Sequence, residues 1–209
     1  MARYYLAKGH KVSGSDLASS EITEALEKLG AKISIGKNIT KKDADLIIYS
    51  PAVKVGDPIS NFMSYPEALG ELTKQYFTIA VSGTHGKSTT TALISLILIK
   101  AGFDPTVIIG TKLKEFGDSN FRAGKSKYLV IEADEHMASF LNYWPKIIIL
   151  TNIEADHLDY YKNLKNYISS FKKYVRHLPK DGVLVANGDD KNISKIKNQN
   201  YSSKFKIIR

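Results

Sequence analysis

The sequence predicts an α/β protein, and three observations predict it. Short β-branched runs alternate with segments of helical spacing along most of the chain. Two of those helical segments close on glycines, at Gly30 and Gly102. One glycine-bearing loop, residues 82–87, lies between an apolar strand and an apolar helix, where parallel sheets hold phosphate.

Taken in order, residues 1–7 read as the tail of a helix, and residues 11–14 as a short strand ending at Ser15 and Asp16. Residues 21–29 place Ile22, Leu26 and Leu29 at helical spacing before Gly30, which takes a left-handed cap at no steric cost. Residues 31–35 and 45–49 are further strands. The rhythm predicts a small parallel sheet with crossover helices, a partial Rossmann-like domain over residues 1–70. No GxGxxG precedes Lys11, so the first strand and its phosphate-gripping turn are missing from that pattern. Residues 51–75, with Pro51, Gly56, Pro58 and Pro66, read as a linker followed by a short helix.

A second series occupies residues 71–209 and predicts a parallel or mixed sheet around a P-loop. Residues 77–81 form its first strand, and residues 88–101 a helix apolar almost all round, which predicts burial. Residues 128–131, 146–150 and 183–186 are strands of the same sheet, with an amphipathic helix over residues 163–178. Beyond Asp190 the chain turns polar and lysine-rich, with one more strand candidate at its end.

Composition narrows the function classes. Hydrophobic residues at 43% and charged residues at 24% suit a soluble globular chain. With no cysteine, disulfides, thiolate metal sites and cysteine nucleophiles are excluded. Lys8 interrupts any signal-peptide core, and the most apolar stretch, residues 92–99, is too short to span a bilayer. A cytoplasmic protein without membrane insertion is expected. The formal charge of +9 comes from dispersed lysines, and no aromatic-plus-arginine motif of an RNA-binding module occurs. The charge is assigned to solvated helix faces and polyanionic nucleotide ligands, with no nucleic-acid partner. Oligomeric state is not legible.

The chemistry concentrates in Ser82-Gly83-Thr84-His85-Gly86-Lys87-Ser88. Such a loop points backbone N–H groups at a phosphate, Lys87 reaches the β- and γ-phosphates, and the Ser88 hydroxyl ligates Mg²⁺. The loop is a variant: the first glycine of G-x-x-x-x-G-K-[ST] would fall at Val81, and the leading glycine here is Gly83. Lys87 reads as part of an exposed loop whose replacement leaves the fold intact. Two strands end in hard ligands, one in Glu132, Asp134 and Glu135, the other in Thr151, Asn152, Glu154, Asp156 and His157. Glu132 follows directly on four apolar residues and reads as a metal ligand, while Glu135 and Glu154 read as solvated strand ends. His157, beside Asp156, is an imidazole candidate for the same chemistry.

Gly83 to Thr89, Glu132-Ala133-Asp134-Glu135 with Ser139-Phe140-Leu141, and Thr151 to Asp159 together resemble the Mur ligase family, in its order and spacing. The resemblance implies residues 1–70 as a truncated UDP-substrate domain and residues 71–209 as a P-loop ATP-binding domain, incomplete at its end. It implies ATP and Mg²⁺ as cofactors, and UDP-N-acetylmuramate and L-alanine as substrates, joined through an acyl phosphate in cell-wall precursor synthesis. Carried over, Gly83, Thr84, His85, Gly86, Lys87, Ser88, Thr89 and Asn152 would bind the nucleotide. Ser88 and Glu132 would hold one metal and His157 a second, with Lys87 and His85 catalytic. Sister ligases carry a carbamylated lysine further along, where the count from Asp156 lands on Phe171, next to Lys172. That departure favours the alanine-adding branch or a tripeptide-recycling ligase. A P-loop ATPase or binding module without ligase activity is the reading from another class. The absent glycine-rich turn and C-terminal domain mark the chain as a fragment expected not to complete the reaction alone.

Overall fold

The computed structural model describes residues 1–36, 44–53, 61–197 and 204–208. Their backbone divides into two compact units, Met1–Ala68 and Leu69–Arg209.

The first unit holds α1 (Ala2–Ala7), β1 (Ser13–Asp16), α2 (Glu21–Lys28), β2 (Lys32–Ile35), β3 (Ile47–Tyr49), β4 (Phe62–Ser64) and the start of α3 (Tyr65–Gln75). A reciprocal capping box starts α2: the Ser20 amide donates to Thr23 Oγ1 at 2.9 Å, and the Thr23 amide to Ser20 Oγ at 3.3 Å. The helix closes on Gly30 at φ +96°, as its sequence predicts. One parallel sheet was expected here. Among the described residues the four strands instead make two separate parallel pairs, β1 with β2 and β3 with β4. Strand β4 and the full length of α3 fall where a linker and short helix were expected. The Gly56 and Pro58 part of that linker lies outside the described residues.

The second unit is a seven-stranded sheet flanked by helices. Its elements are β5 (Phe77–Ser82), α4 (Lys87–Lys100), β6 (Thr106–Leu113), β7 (Ser119–Arg122), β8 (Tyr128–Glu132), β9 (Ile147–Leu150), α5 (Leu158–Tyr161), α6 (Leu164–Val175), β10 (Val183–Asn187), α7 (Lys191–Lys197) and β11 (Lys204–Ile208). The strand order is β11-β10-β9-β5-β8-β6-β7. All pairs are parallel except β6 with β7. Leu129, Val130 and Ile131 are fully buried, as expected of a parallel strand covered on both faces. In register, Val81 faces Glu132 and Ser82 faces Leu150, so β5, β8 and β9 finish level. After β5 the chain goes to one side of the sheet, and after β8 it crosses to the other. Such a reversal opens a crevice beyond the carboxyl ends of the strands.

Helix α4 is not buried all round. Leu93 is 56% and Ile97 65% exposed, whereas Thr91 and Ser95 are fully buried. Their hydroxyls return to their own helix, Thr91 to the Lys87 carbonyl and Ser95 to the Thr91 carbonyl. With no polar atom left unsatisfied, these small side chains form the inward face, and Ala92, Ile94 and Leu98 pack beside them on Ile79, Val107, Ile109 and Val130. Helix α6 is capped by the Asn163 side chain, which accepts the Asn166 amide at 2.9 Å, and it buries Tyr167, Phe171 and Tyr174. Phe140 meets the last two at ring-centroid distances of 5.1 and 4.6 Å. Aromatic side chains buried in this way contribute about 1.5–3 kcal/mol each.

Candidate functional site

The loop between β5 and α4 is shaped by two glycines. Gly83 sits at φ +131°, and a Cβ there would stand 2.2 Å from Thr151 Oγ1, so only glycine fits. Gly86, at φ +78°, is the N-cap of α4. The segment after β9 clamps the loop from outside. The Thr84 amide donates to the Asn152 carbonyl at 3.0 Å and the His85 amide to Asn152 Oδ1 at 2.9 Å. Asn152 Nδ2 and Thr151 Oγ1 both donate to the His85 carbonyl, at 2.9 and 2.7 Å. Thr84 Oγ1 accepts the Glu154 amide at 2.9 Å. Both polar ends of Asn152 are therefore spent on the loop backbone, which it braces. The His85 ring is exposed, 3.7 Å from Glu154. As at any helix start, the first N–H groups of α4 have no acceptor within the helix.

Lys87 is drawn inward. Its side chain is only 14% exposed, and Nζ donates to the Gly83 carbonyl at 2.8 Å, the Thr84 carbonyl at 3.1 Å and Glu135 Oε1 at 3.0 Å. Glu135 is fully buried, contrary to its reading as a solvated strand end, because the chain turns inward after β8. Burial pushes its carboxyl above the usual range, and the Lys87 ammonium pulls it back. Tyr167 adds a hydroxyl at 3.3 Å from Oε1, and Tyr161 donates to the Glu135 carbonyl. Lys87 therefore does not stand in an exposed loop; the pair is a structural part of the unit.

A second group lies beside it. Ser88 Oγ donates to Glu132 Oε1 at 2.9 Å, and the Gly110 amide to Glu132 Oε2 at 2.8 Å. A Cβ on Gly110 would lie 2.8 Å from that oxygen. His157, at φ +48°, brings Nε2 within 3.9 Å of Glu135 Oε1, and its ring lies against His136, tilted by 36° with centroids 4.5 Å apart. Asp134, Glu135 and His157 can each offer a ligand atom, all within 4.8 Å of one another. Met137 and Ala138 beside them hold left-handed φ of +50° and +56°, conformations strained for residues with a Cβ. The donor set suits a hard divalent cation: a hydroxyl and a carboxylate already share one proton-bridged contact at the start of α4.

The description "Mur ligase middle domain" matches residues 81–209, and "Mur ligase family, catalytic domain" matches residues 1–77. The chain belongs to the Mur ligase family. It is 44% identical over 206 residues to the UDP-N-acetylmuramate–L-alanine ligase of Clostridium botulinum, covering 94% of this chain and 45% of that one. It is 46% identical to the enzyme of that name from Acetivibrio thermocellus, covering 94% and 44%. The chain thus spans about half the length of the curated relatives it matches. Among solved Mur ligases, the UDP-N-acetylmuramate:L-alanyl-γ-D-glutamyl-meso-diaminopimelate ligase of Neisseria meningitidis superposes with a TM-score of 0.86 at 26% identity. That match covers 99% of this chain and 72% of its own. The UDP-N-acetylmuramate–alanine ligase of Thermotoga maritima gives 0.80 at 28% identity, covering 100% of this chain and 49% of its own.

The count from Asp156 falls on Phe171, next to Lys172. Phe171 is fully buried, packed between Phe140 and Tyr167 at 5.1 Å from each. Lys172 lines a groove with Lys165, Ile168 and Lys195 on a different face of α6. Two residues near Lys87 and Glu132 carried no sequence signal, Tyr167 and Gly110; Glu135 stood among the strand-end candidates, without its burial. Thr151 stood among the strand-end candidates, without its part in the clamp. No helix among the described residues is long and apolar enough to cross a membrane.

Proposed function

We propose that this chain carries the nucleotide and metal site of an ATP-dependent carboxylate–amine ligase that joins UDP-N-acetylmuramate to L-alanine. The observation that carries the reading is the Ser88–Glu132 contact at 2.9 Å, level with Lys87 at the start of α4. Residues 71–209 are read as a P-loop ATP-binding domain and residues 1–70 as a Rossmann-like part that meets the UDP end. In this reading Gly83, Thr84, His85, Gly86, Ser88 and Thr89 surround the phosphates through the loop and first turn of α4. Asn152 acts by holding that loop. Lys87 sets positive charge against the β- and γ-phosphates. Ser88 and Glu132 would hold one Mg²⁺ and His157 a second. A bound Mg²⁺ offsets the charge of the transferring phosphoryl group. The sugar-acid carboxylate, once phosphorylated, would present a leaving group to the alanine amine, and the exposed ring of His85 would face it.

The test is Mg²⁺-dependent ATP binding followed by titration calorimetry. Glu132→Gln is expected to weaken it on the order of ten-fold or more, since loss of even a group that only orients a metal ligand costs that much. Glu154→Gln, altering an exposed carboxylate, should leave it unchanged. Equal effects would overturn the metal assignment. The tripeptide-recycling reading has one observation in its favour, the TM-score of 0.86 to a ligase whose name specifies that peptide. The 44% identity to alanine-adding relatives favours L-alanine. Stimulation of ADP release by the tripeptide and not by L-alanine would reverse that order.

A further inference from the structure

We propose that Tyr167, on α6, is a positioning residue for Lys87, acting through a buried line of hydroxyl and carboxylate that runs from the loop to the lysine. The inference rests on the nucleotide reading above and extends it to a residue eighty positions further along the chain.

The line is continuous. Thr84 Oγ1 and the Tyr167 hydroxyl are 3.0 Å apart, Tyr167 reaches Glu135 Oε1 at 3.3 Å, and Lys87 Nζ donates to the same oxygen at 3.0 Å. Tyr167 and Glu135 are both fully buried, so water does not compete for these contacts. A phenol has one proton. When Tyr167 gives it to Glu135, Thr84 must turn its own hydrogen from the Glu154 carbonyl, 3.2 Å away, to Tyr167, and Tyr167 and Lys87 then converge as donors on Oε1. Glu135 Oε2 also lies 2.9 Å from Nζ, so Lys87 meets both carboxylate oxygens, while Tyr167 reaches Oε1. The ring of Tyr167 is fixed separately, edge-on to Tyr161 at 4.9 Å and to Phe171 at 5.1 Å. Burial raises the phenol pKa well above its ordinary value, which keeps the proton on the oxygen. Packing and hydrogen bonding can thus be separated by one atom: Tyr167→Phe keeps the ring and removes the link.

An internal control stands in the same cluster. The Tyr174 hydroxyl is buried without a hydrogen-bond partner among the described residues, while its ring stacks on Phe140 at 4.6 Å. Tyr174→Phe deletes an equivalent atom that connects to nothing.

The experiment measures the affinities of ATP, ADP and AMP, with Mg²⁺, for the 209-residue chain and its variants. A misplaced Lys87 weakens binding in proportion to the phosphates it meets. Tyr167→Phe is therefore expected to weaken ATP roughly ten-fold, the scale of one hydrogen bond to a charged group, ADP less, and AMP not at all. Glu135→Gln, which keeps the shape and removes the charge, should show the same order. Tyr174→Phe should change none of the three. If Tyr167→Phe weakens all three nucleotides alike, or none, the positioning role is overturned while the nucleotide reading stands. If the unaltered chain binds no nucleotide, both fall together.

Discussion

Lys87 spends all three ammonium hydrogens on its own protein: two loop carbonyls and one buried carboxylate. Replacing it by alanine would strand the Glu135 charge in a water-free pocket, and breaking a buried pair from one side costs about 3–5 kcal/mol. Lys87→Ala is thus expected to lose ATP binding and also to lower the melting temperature. Adding Glu135→Gln should restore most of the melting temperature and none of the binding. Parallel thermal melts with and without Mg-ATP check both halves, and a single variant melting like the parent would refute the buried pair. The sequence could not show this. Glu135 and Glu154 read alike, each an acid just past an apolar strand, yet one is fully buried and the other exposed. Burial is decided by residues far along the chain, Tyr161 and Tyr167 among them. Glu132 was legible as the end of its strand because four apolar residues lead straight into it.

At the scale of elements, strands β5, β8, β9, β10 and the terminal β11 were visible, while β6, which runs parallel to β8 inside the sheet, and the edge strand β7 were not. Residues 79–81 and 128–131 are unbroken apolar runs, the pattern of strands covered on both faces. Strand β7 reads Ser-Asn-Phe-Arg, with no periodicity, and is held by pairing to β6 and by its neighbours. Helix α7 was masked by its lysines, although Ile193 and Ile196 are buried at helical spacing and Asp190 accepts the Asn192 and Ile193 amides at its start. The edge depends on Asp104, at φ +47°, which accepts the Lys125 amide at 2.9 Å and Arg122 Nη2 at 2.6 Å. The Lys125 amide, then Arg122, hold its carboxyl below the ordinary 3.8. A depressed carboxylate stabilises fully above about pH 4, and the contribution is lost as pH falls through the folded pKa. Asparagine tolerates the same left-handed backbone. Asp104→Asn is expected to melt earlier than the parent at neutral pH, with the gap closing in acid as pH falls through the lowered carboxyl pKa. A gap that persists in acid would mean the charge is not what Asp104 contributes.

Taken whole, every residue drawn into the site comes from Leu69–Arg209, at the level ends of β5, β8 and β9. A chain beginning at Ser64, which keeps the Ser64–Glu67 contacts that open α3, should bind Mg-ATP with the affinity of the full chain. A clear loss, measured by calorimetry on both, would place part of the binding surface in the first 63 residues. The fold class was legible because alternation of strand and helix is written locally. Sheet order was not, because pairing partners are distant in sequence, and the first unit's two separate strand pairs show the cost of inferring one sheet from rhythm alone. The chain's single tryptophan carries an optical consequence. Trp144 stands before β9, at the end of that strand away from Thr151, its indole stacked on the His177 ring at 4.3 Å and 46% exposed. Four strand residues put roughly 13 Å between it and the loop. Its emission should follow melting of the sheet while staying dark to the nucleotide, so any ATP-induced change in that fluorescence would report a movement carried along β9 itself.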